Sequence, residues 1–323
     1  MTTANGAPVV VTGAEGFVGS WLVPELAAAY VPVIAVHKPG TPLPSAEAAS
    51  AHAEPVEADL RRRGALLEVL RDTQPRAVVH LAAVAVPREA ARDPDEALAV
   101  NYTAVDHLVA AILEASPHTR LLYVSSGEVY GRQSRDDPPA AETAELRPPN
   151  PYAATKAAAE QRVALAVERE RLDAVRVRPF NHSGPGRPPV YAESDFARQV
   201  ALLERGGGEP VVRVGNLEAI RDFSDVRDVV RAYRLLLERG ERGGVYNVCS
   251  GQPRSIRSVL DYLVSRARRE LRVEVDAARF EALPEGAVGL VGDPTRIRAL
   301  GWEPAHPFES TLDDLLDDWR SRA

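Results

Sequence analysis

The stretch Pro8-Val9-Val10-Val11-Thr12-Gly13-Ala14-Glu15-Gly16-Phe17-Val18-Gly19 decides the fold of this chain. Its β-branched half predicts a buried strand over residues 8–12, and a helix is predicted over residues 20–30. In the G-x-x-G-x-x-G loop between them, the first glycine permits a tight turn, the second lets the backbone approach a pyrophosphate, and the third allows close helix–strand packing. Such a turn need bind nothing, but its position favours a dinucleotide. The loop residues expected at that dinucleotide are Gly13, Gly16, Phe17, Val18 and Gly19.

The first half of the chain alternates apolar runs with helical stretches. Strands are predicted over residues 33–37, 77–81, 121–125 and 174–178, and helices over residues 60–71, 95–115 and 152–171. Strands that alternate with helices are typical of a parallel sheet covered on both faces. The sequence therefore predicts an α/β fold with a Rossmann-type doubly wound parallel sheet.

After Pro179 the sequence changes character, because residues 181–190 are rich in Gly and Pro and predict an ordered loop. Further helices are predicted over residues 195–205, 226–239, 256–269 and 312–320, with a strand over residues 246–248. Without repeats or long linkers, a smaller α/β substrate domain should be interleaved with the first. We expect residues 1–180 plus about 217–250 in the dinucleotide-binding domain, and about 181–216 plus 251–323 in the substrate domain.

The composition argues against several classes of protein. The chain of 323 residues has a net charge of −7, which disfavours a broad nucleic-acid surface. Its one cysteine cannot form an internal disulfide, and no Cys/His cluster has zinc spacing, so no metal site is expected. The N-terminus lacks the features of a signal peptide, and no apolar run approaches membrane-spanning length. We expect a soluble, cytoplasmic protein with neither nucleic-acid nor membrane partners.

The residues after the second strand bear on the choice of cofactor. In NAD-binding proteins an acidic residue often ends this strand and binds the ribose 2′-hydroxyl, but His37 and Lys38 occupy the place here. Because the Lys38 cation suits a 2′-phosphate, NADP(H) is favoured and NAD(H) remains possible; otherwise Lys38 is only a solvated loop charge. The pair Asp59-Leu60 could bring a carboxylate to the adenine amino group or could simply cap the next helix.

Lys156 points to catalysis. The chain has 39 lysines and arginines together, of which only Lys38 and Lys156 are lysines. Lys156 follows Tyr152 by four residues, so the two side chains share one face of the predicted helix. A neighbouring cation favours the phenolate form of a tyrosine, which would make Tyr152 a usable general acid or base. The plain alternative is a surface pair on an Ala-rich helix.

Four motifs, in this order and spacing, resemble the extended short-chain dehydrogenase/reductase family over nearly the whole chain. They are Thr12-Gly13-Ala14-Glu15-Gly16-Phe17-Val18-Gly19, His80-Leu81-Ala82-Ala83, Ser125-Ser126-Gly127-Glu128-Val129-Tyr130-Gly131 and Tyr152-x-x-x-Lys156. Later segments, including Arg178-Pro179-Phe180-Asn181-His182 and Arg221-Asp222-Phe223-Ser224-Asp225, resemble its GDP-mannose branch, closest to the GDP-4-dehydro-6-deoxy-D-mannose reductases. The resemblance implies an NAD(P)H-dependent 4-ketoreductase of an NDP-4-dehydro-6-deoxyhexose in deoxysugar biosynthesis.

The same resemblance implies roles for individual residues. Ser126, Tyr152 and Lys156 would form the catalytic triad. Tyr152 would protonate the C4 oxygen, Ser126 would hydrogen-bond it, and Lys156 would bind the nicotinamide ribose and lower the tyrosine pKa. Residues implied at the cofactor, beside Tyr152 and Lys156, are Leu81, Ala82, Ala83, Asn101 and Pro179. Residues implied at the sugar nucleotide are Ser126, Glu128, Asn181, Gln199, Arg221 and Arg279. The helices over residues 95–115 and 152–171 imply a homodimer.

Gly127 and Glu281 bear on the alternatives. The family's 4,6-dehydratases use a side chain at the position of Gly127 to help expel the C6 hydroxyl, and use the equivalent of Glu128 as the catalytic base. Elimination is therefore disfavoured here, although Glu128 remains. Glu281 stands where the family usually has a phosphate-binding arginine, so a dTDP-linked sugar is an alternative to a GDP-linked one unless Arg279 substitutes. A 4,6-dehydratase or epimerase is the second alternative, and a cofactor-binding regulator without turnover is the third.

Overall fold

The computed structural model describes residues 6–29, 32–43, 53–134, 136–206, 208–279 and 287–322. The strands are β1 (Val9–Thr12), β2 (Val33–His37), β3 (Ala53–Glu57), β4 (Ala77–His80), β5 (Arg120–Val124), β6 (Gln133–Ser134), β7 (Ala174–Pro179), β8 (Asn181–Ser183), β9 (Val211–Val214), β10 (Ile220–Asp225), β11 (Val245–Val248), β12 (Pro253–Ser255), β13 (Arg272–Val275) and β14 (Ala287–Leu290). The helices are α1 (Phe17–Ala28), α2 (Leu67–Thr73), α3 (Pro87–Arg92), α4 (Pro94–Leu98), α5 (Ala104–Ala115), α6 (Pro151–Arg169), α7 (Ala192–Glu204), α8 (Val226–Arg239), α9 (Ile256–Ser265), α10 (Thr295–Arg298) and α11 (Phe308–Arg322).

A parallel seven-stranded sheet organises the first half of the chain, in the order β11-β7-β5-β4-β1-β2-β3. The strand order reverses at β1, where Thr12 is the register partner of His80 on one side and of Val36 on the other. In open parallel sheets ligands bind at the carboxyl ends of the strands, beside such a switch point. The predicted α/β, Rossmann-type doubly wound fold is confirmed.

Helices cover both faces of this sheet. One core includes Leu22 of α1 and Tyr233 of α8, and the other includes Ile112 of α5 and Val163 of α6, all fully buried. Because both faces are covered, β1 is buried along its whole length, which explains its run of three valines. Loops follow the carboxyl ends of the strands, and the glycine loop, Lys38 and Ser126 lie in them.

A second sheet has the order β12-β10-β14-β6, with β8 paired to β10, and a two-stranded ribbon joins β9 to β13. A third core lies between α7, α9 and α11. After β10 the chain returns through α8 and β11 to the first sheet, so the two sheets are interleaved along the sequence. β10 falls within residues 217–250 of the predicted dinucleotide-binding domain yet pairs with strands of the second sheet. The domain boundaries themselves remain a prediction.

Some elements differ from those predicted. The helix predicted over residues 60–71 begins only at Leu67. Before it the chain forms two successive turns, in which the Asp59 carbonyl accepts a hydrogen bond from the Arg62 amide and the Arg62 carbonyl accepts one from the Ala65 amide. The helix predicted over residues 95–115 contains the π-helical turn Ala99–Thr103. The loop predicted over residues 181–190 begins with β8, which gains β10 as a parallel partner. Residue 30, the predicted end of the first helix, lies outside the described residues.

The stretch Pro94–Ala115 corrects the expectation that no apolar run approaches membrane-spanning length. These 22 residues form a helical stretch long and apolar enough to cross a membrane by length and composition alone. Within it, Val105, Leu108 and Ile112 are buried in the core beneath the seven-stranded sheet. The apolar side chains on this side of the stretch are therefore explained by packing against the sheet.

Candidate active site

Ser126 and Tyr152 lie together at the carboxyl end of the seven-stranded sheet, where the Ser126 hydroxyl interacts with the phenol. Ser126 comes just after β5, and Tyr152 is in the first turn of α6, whose N-cap Asn150 accepts a hydrogen bond from the Ala153 amide at 2.9 Å. Desolvation raises the pKa of Tyr152 well above its usual value, and the Ser126 hydrogen bond offsets only part of that rise. The phenol is therefore protonated near neutral pH, and it can act as a proton donor.

Lys156 lies one helical turn after Tyr152 and is 2% exposed. Its ammonium donates a hydrogen bond to the Val124 carbonyl oxygen and lies 4.7 Å from the centre of the Tyr123 ring. Burial lowers the pKa of Lys156 to about 7, and the Glu160 carboxylate acts in the opposite direction. The expected lowering of the tyrosine pKa is wrong for this arrangement, because desolvation of the phenol dominates and the ammonium is directed at Val124.

Asn101 connects two predicted parts of the site. It lies in the π-helical turn and is fully buried. Its amide accepts a hydrogen bond from the Val84 N–H at 2.8 Å, and donates to the Val84 carbonyl at 3.2 Å and to Thr155 Oγ1 at 3.0 Å. Thr155 Oγ1 in turn donates to the Tyr152 carbonyl at 2.9 Å. Asn101, expected to line the cofactor, thus fixes the loop after β4 against the helix that carries Tyr152.

The glycine loop lies directly against the segment that follows β4. A Cβ on Gly13, whose φ is +71°, would lie 2.6 Å from the Ala82 amide nitrogen. A Cβ on Gly19 would lie 2.6 Å from the Gly13 carbonyl oxygen, so the helix can approach the loop only without a side chain there. Phe17 and Val18 begin α1, and Leu81 donates its amide hydrogen bond to the Thr12 carbonyl at 3.1 Å. The structure therefore brings together Gly13, Gly16, Phe17, Val18, Gly19, Leu81, Ala82 and Ala83.

The region after β2 is more acidic than the sequence suggested. Lys38 is exposed, but its backbone amide donates to Glu15 Oε1 of the glycine loop at 3.1 Å. The His37 ring is hydrogen-bonded to the Thr41 carbonyl at 2.9 Å and is nearly buried.

Asp59 is engaged by a neighbour in the chain. Its carboxylate accepts two hydrogen bonds from the Arg61 guanidinium, at 2.9 and 2.8 Å, and one from the Arg61 amide at 3.1 Å. The guanidinium hydrogen bonds lower the pKa of Asp59 to about 2. Arg61 also contacts Glu96 at 3.1 Å, while the Leu60 carbonyl faces the His107 ring at 3.4 Å. Asp59 thus stabilises a turn rather than capping α2, which begins only at Leu67.

Gly127 lies beneath an aromatic ring. A Cβ on this glycine would lie 3.0 Å from the ring carbons of Phe180, which follows β7 and Pro179. The Glu128 carboxylate is paired with Arg132 at 3.0 Å, and its backbone amide donates to Ser126 Oγ at 3.1 Å. The position of the acid expected in a dehydratase is therefore crowded by Phe180, and Glu128 is paired with a cation.

The residues predicted for the sugar nucleotide fall into separate groups. Asn181 lies on β8, half-buried, beside its register partner Phe223, and Arg221 lies on β10. Gln199 Nε2 donates to Asp195 Oδ2 at 2.7 Å, and Gln199 Oε1 accepts from the Arg213 amide at 2.8 Å. Arg279 contacts the same Asp195 carboxylate at 2.7 Å. The structure thus joins Gln199 to Arg279 through Asp195, while Glu281 lies outside the described residues.

Arg187 is a site residue that the sequence interpretation did not single out. Its nearly buried guanidinium lies 3.4 Å from the centre of the Tyr191 ring and 5.1 Å from that of Phe17, and it pairs with Glu193 at 3.3 Å. Its charge partly opposes the desolvation that raises the Tyr152 pKa. The Gly- and Pro-rich loop that contains Arg187 has no periodic pattern. The one signal in the sequence was its position, directly after the motif that ends at Gly186.

The described residues fit a bound dinucleotide, but no metal site. Gly13 and Gly19 let the loop, the segment after β4 and α1 pack closely, and Glu15 Oε2 and His80 Nε2 are enclosed polar atoms with no hydrogen bond within the described chain. Ribose, phosphate and carboxamide groups could supply such partners. Over the same residues, no group of three or more His, Cys, Asp or Glu side chains could hold a metal ion.

Comparison with known proteins gives a consistent result. The sequence profile of the NAD dependent epimerase/dehydratase family matches residues 9–249. The chain is 36% identical to GDP-6-deoxy-D-mannose reductase of Pseudomonas aeruginosa over 97% of each chain. The structure of RMD from Pseudomonas aeruginosa complexed with NADPH superposes with a TM-score of 0.85 at 34% identity, over 98% of this chain and 100% of that one. Thermus thermophilus UDP-glucose 4-epimerase in complex with NAD gives a TM-score of 0.85 at 28% identity, over 98% and 100%.

Proposed function

Because this chain belongs to the NAD dependent epimerase/dehydratase family of extended short-chain dehydrogenase/reductases, we propose that it is an NAD(P)H-dependent 4-ketoreductase of a nucleotide-linked 4-dehydro-6-deoxyhexose. A GDP-linked sugar is the preferred substrate, since the 36% identity to GDP-6-deoxy-D-mannose reductase extends over 97% of this chain. A dTDP-linked sugar is the alternative suggested by Glu281.

The placement of Tyr152 beside Ser126 carries the proposal. Tyr152 is a protonated phenol near neutral pH and would donate its proton to the C4 oxygen of the substrate. Ser126 would hydrogen-bond that same oxygen and hold it beside the phenol. The Lys156 ammonium would bind the nicotinamide ribose. When bound, the dinucleotide supplies a hydride to C4, and the glycine loop would hold its pyrophosphate at the N-terminus of α1.

Reduction is favoured over dehydration by the surroundings of Gly127. Loss of water from C5 and C6 requires a base at C5 and an acid at the departing C6 hydroxyl. Glu128 could be the base, although its pairing with Arg132 holds the carboxylate away from other partners. Gly127 itself has no side chain to act as the acid, and the Phe180 ring lies against the place where one would begin. A 4,6-dehydratase or epimerase is therefore the second candidate, and a regulator without turnover is disfavoured by the intact Ser126, Tyr152 and Lys156.

We also propose a homodimer formed through the helical stretch from α4 to α5 and the neighbouring α6. Leu98, at the end of α4, is 48% exposed, although a large apolar side chain gains from being covered. A cytoplasmic location fits a substrate and cofactor that are both cytoplasmic metabolites. Light scattering of the wild type and of Leu98→Glu would test the dimer, with a monomeric wild type as the contradicting result.

The reaction is tested with two assays on the same protein. In the first, GDP-mannose and dTDP-glucose are each supplied without NADPH, and we expect no 4-keto-6-deoxy product. In the second, the 4-keto-6-deoxy forms of both sugar nucleotides are supplied with NADPH, and we expect loss of absorbance with the GDP-linked one. Product in the first assay without NADPH oxidation in the second would overturn the reductase assignment. Oxidation with only the dTDP-linked sugar would keep the reaction and replace the nucleotide.

A further inference from the structure

Glu15 of the glycine loop brings a carboxylate to the end of β2. Its Oε1 accepts a hydrogen bond from the Lys38 amide at 3.1 Å, and Lys38 directly follows β2. In dinucleotide-binding proteins of this fold, an acidic residue about 20 residues after the glycine motif binds the ribose 2′-hydroxyl from this strand end. The sequence has no acid after β2, but the folded chain places the carboxylate of Glu15 there.

The second oxygen of this carboxylate has no hydrogen-bond partner among the residues that the structure describes. Glu15 Oε2 is enclosed, and it makes no hydrogen bond within the described parts of the chain. An enclosed charged oxygen without a donor is unfavourable. A ribose hydroxyl is a donor and would satisfy it. A 2′-phosphate would instead bring acceptor oxygens and a second negative charge against the first.

Lys38 acts in the opposite sense at the same place. Its side chain is exposed, and its charge contributes to the low pKa of Asp59, after the larger effect of the Arg61 hydrogen bonds. The end of β2 therefore carries a cation that attracts a 2′-phosphate and a carboxylate that repels one. The cofactor preference depends on the difference between the two effects.

We propose that Glu15 is a specificity-determining residue, whose carboxylate accepts a hydrogen bond from the adenosine 2′-hydroxyl of NAD(H) and so opposes the preference for NADP(H) created by Lys38. The inference rests on dinucleotide binding in the proposed function, but not on the identity of the sugar nucleotide. It predicts that this protein binds both cofactors with a smaller difference in affinity than Lys38 alone would give.

The test is Glu15→Gln, with the dissociation constants of NAD⁺ and NADP⁺ measured by calorimetry on the full chain. Glutamine keeps the acceptor for the Lys38 amide and removes only the charge, so the loop should stay in place. The ratio of the NAD⁺ to the NADP⁺ dissociation constant should rise about tenfold, the scale of one hydrogen bond to a charged group. Glu54→Gln, on the exposed part of β3, makes the same change of net charge and should leave the ratio unchanged.

Glu15→Asp separates charge from shape. Aspartate keeps the negative charge but is one methylene shorter, so its carboxylate lies farther from the ribose. NAD⁺ should therefore bind more weakly, and the affinity for NADP⁺ should not increase. A ratio that stays within about twofold in Glu15→Gln, equal weakening of both cofactors, or a gain of NADP⁺ affinity in Glu15→Asp would each overturn the inference. If the wild type bound neither dinucleotide, the proposed function would fail with it, whereas wild-type binding with an insensitive ratio would remove only the role of Glu15.

Discussion

The Lys156 ammonium is hydrogen-bonded to the Val124 carbonyl oxygen inside the protein, which places a titratable cation between α6 and the end of β5. Burial lowers the pKa of Lys156 from 10.5 to about 7, while an unfolded chain restores the usual value. Between these two values the unfolded state binds more protons than the folded state, so this group makes stability rise with pH. The cost of burying the charge is present in full below pH 7 and disappears toward pH 10.5.

Replacing Lys156 by methionine should therefore have a pH-dependent effect on the free energy of unfolding. The variant lacks the buried charge, so its stability relative to wild type should be greatest near pH 7 and should decline as the pH rises toward 10. Urea unfolding of both proteins at pH 7, 8 and 9 gives the difference. Lys38→Met serves as the control, because the exposed Lys38 is solvated in both states. A difference that is constant, or that grows with pH, would contradict the pKa of about 7.

Tyr152→Phe should abolish turnover and leave cofactor binding nearly intact. The variant keeps the ring but loses the hydroxyl that lies beside Ser126. General acid catalysis contributes a factor of about 10²–10⁴ to the rate, so kcat should decrease by a factor of that size. The dissociation constant of NADP⁺ should stay within about twofold of the wild-type value. Tyr262→Phe, on α9, removes a hydroxyl bonded to Asp313 and should leave kcat unchanged. If Tyr152→Phe keeps more than about a tenth of wild-type kcat, Tyr152 is not the acid.

The sequence predicted the parallel sheet well, because alternating apolar runs and helices are local patterns that the whole first half repeats. The close approach of α1 to the glycine loop at Gly19 also followed from the motif. The direction of the Tyr152 pKa did not. Helical spacing puts Lys156 on the same face, but it cannot say that the ammonium turns toward Val124 or that the phenol is desolvated.

Contacts between distant loops were beyond sequence reasoning. Glu15 lies between β1 and α1 and Lys38 lies after β2, and neither periodicity nor composition indicates that the side chain of one meets the backbone of the other. The same holds for Arg187, whose place against Phe17 depends on the path of a loop rich in Gly and Pro. Asp59 was ambiguous for another reason: its two predicted roles require the same carboxylate, and the sequence could not show that a neighbouring arginine holds it away from α2.

Gly127→Ala should reduce stability, since the added Cβ would lie 3.0 Å from the Phe180 ring. Overpacking of a buried site costs about 1–3 kcal/mol, and the ring has to move for the methyl group to fit. Phe180→Leu provides the smaller neighbour, so the double variant should lose less than the sum of the two single losses. Urea unfolding of the wild type and the three variants gives the coupling energy. Additive losses would show that Phe180 does not restrict position 127.

Lys38→Asp should shift the cofactor preference from NADPH toward NADH. The exposed Lys38 directly follows β2, beside which a 2′-phosphate is expected, and a carboxylate there would repel the phosphate and accept the ribose 2′-hydroxyl. The ratio of kcat/KM for NADPH to that for NADH should fall by about tenfold or more, and the fall should be smaller at high salt, which screens exposed charges. Arg257→Asp, on the exposed side of α9, makes the same change of net charge away from β2 and should leave the ratio unchanged. This change is opposite in sign to the one expected for Glu15→Gln, so the two variants together separate the attraction of Lys38 from the repulsion of Glu15. An unchanged ratio in Lys38→Asp would show that Lys38 does not contact the 2′-phosphate.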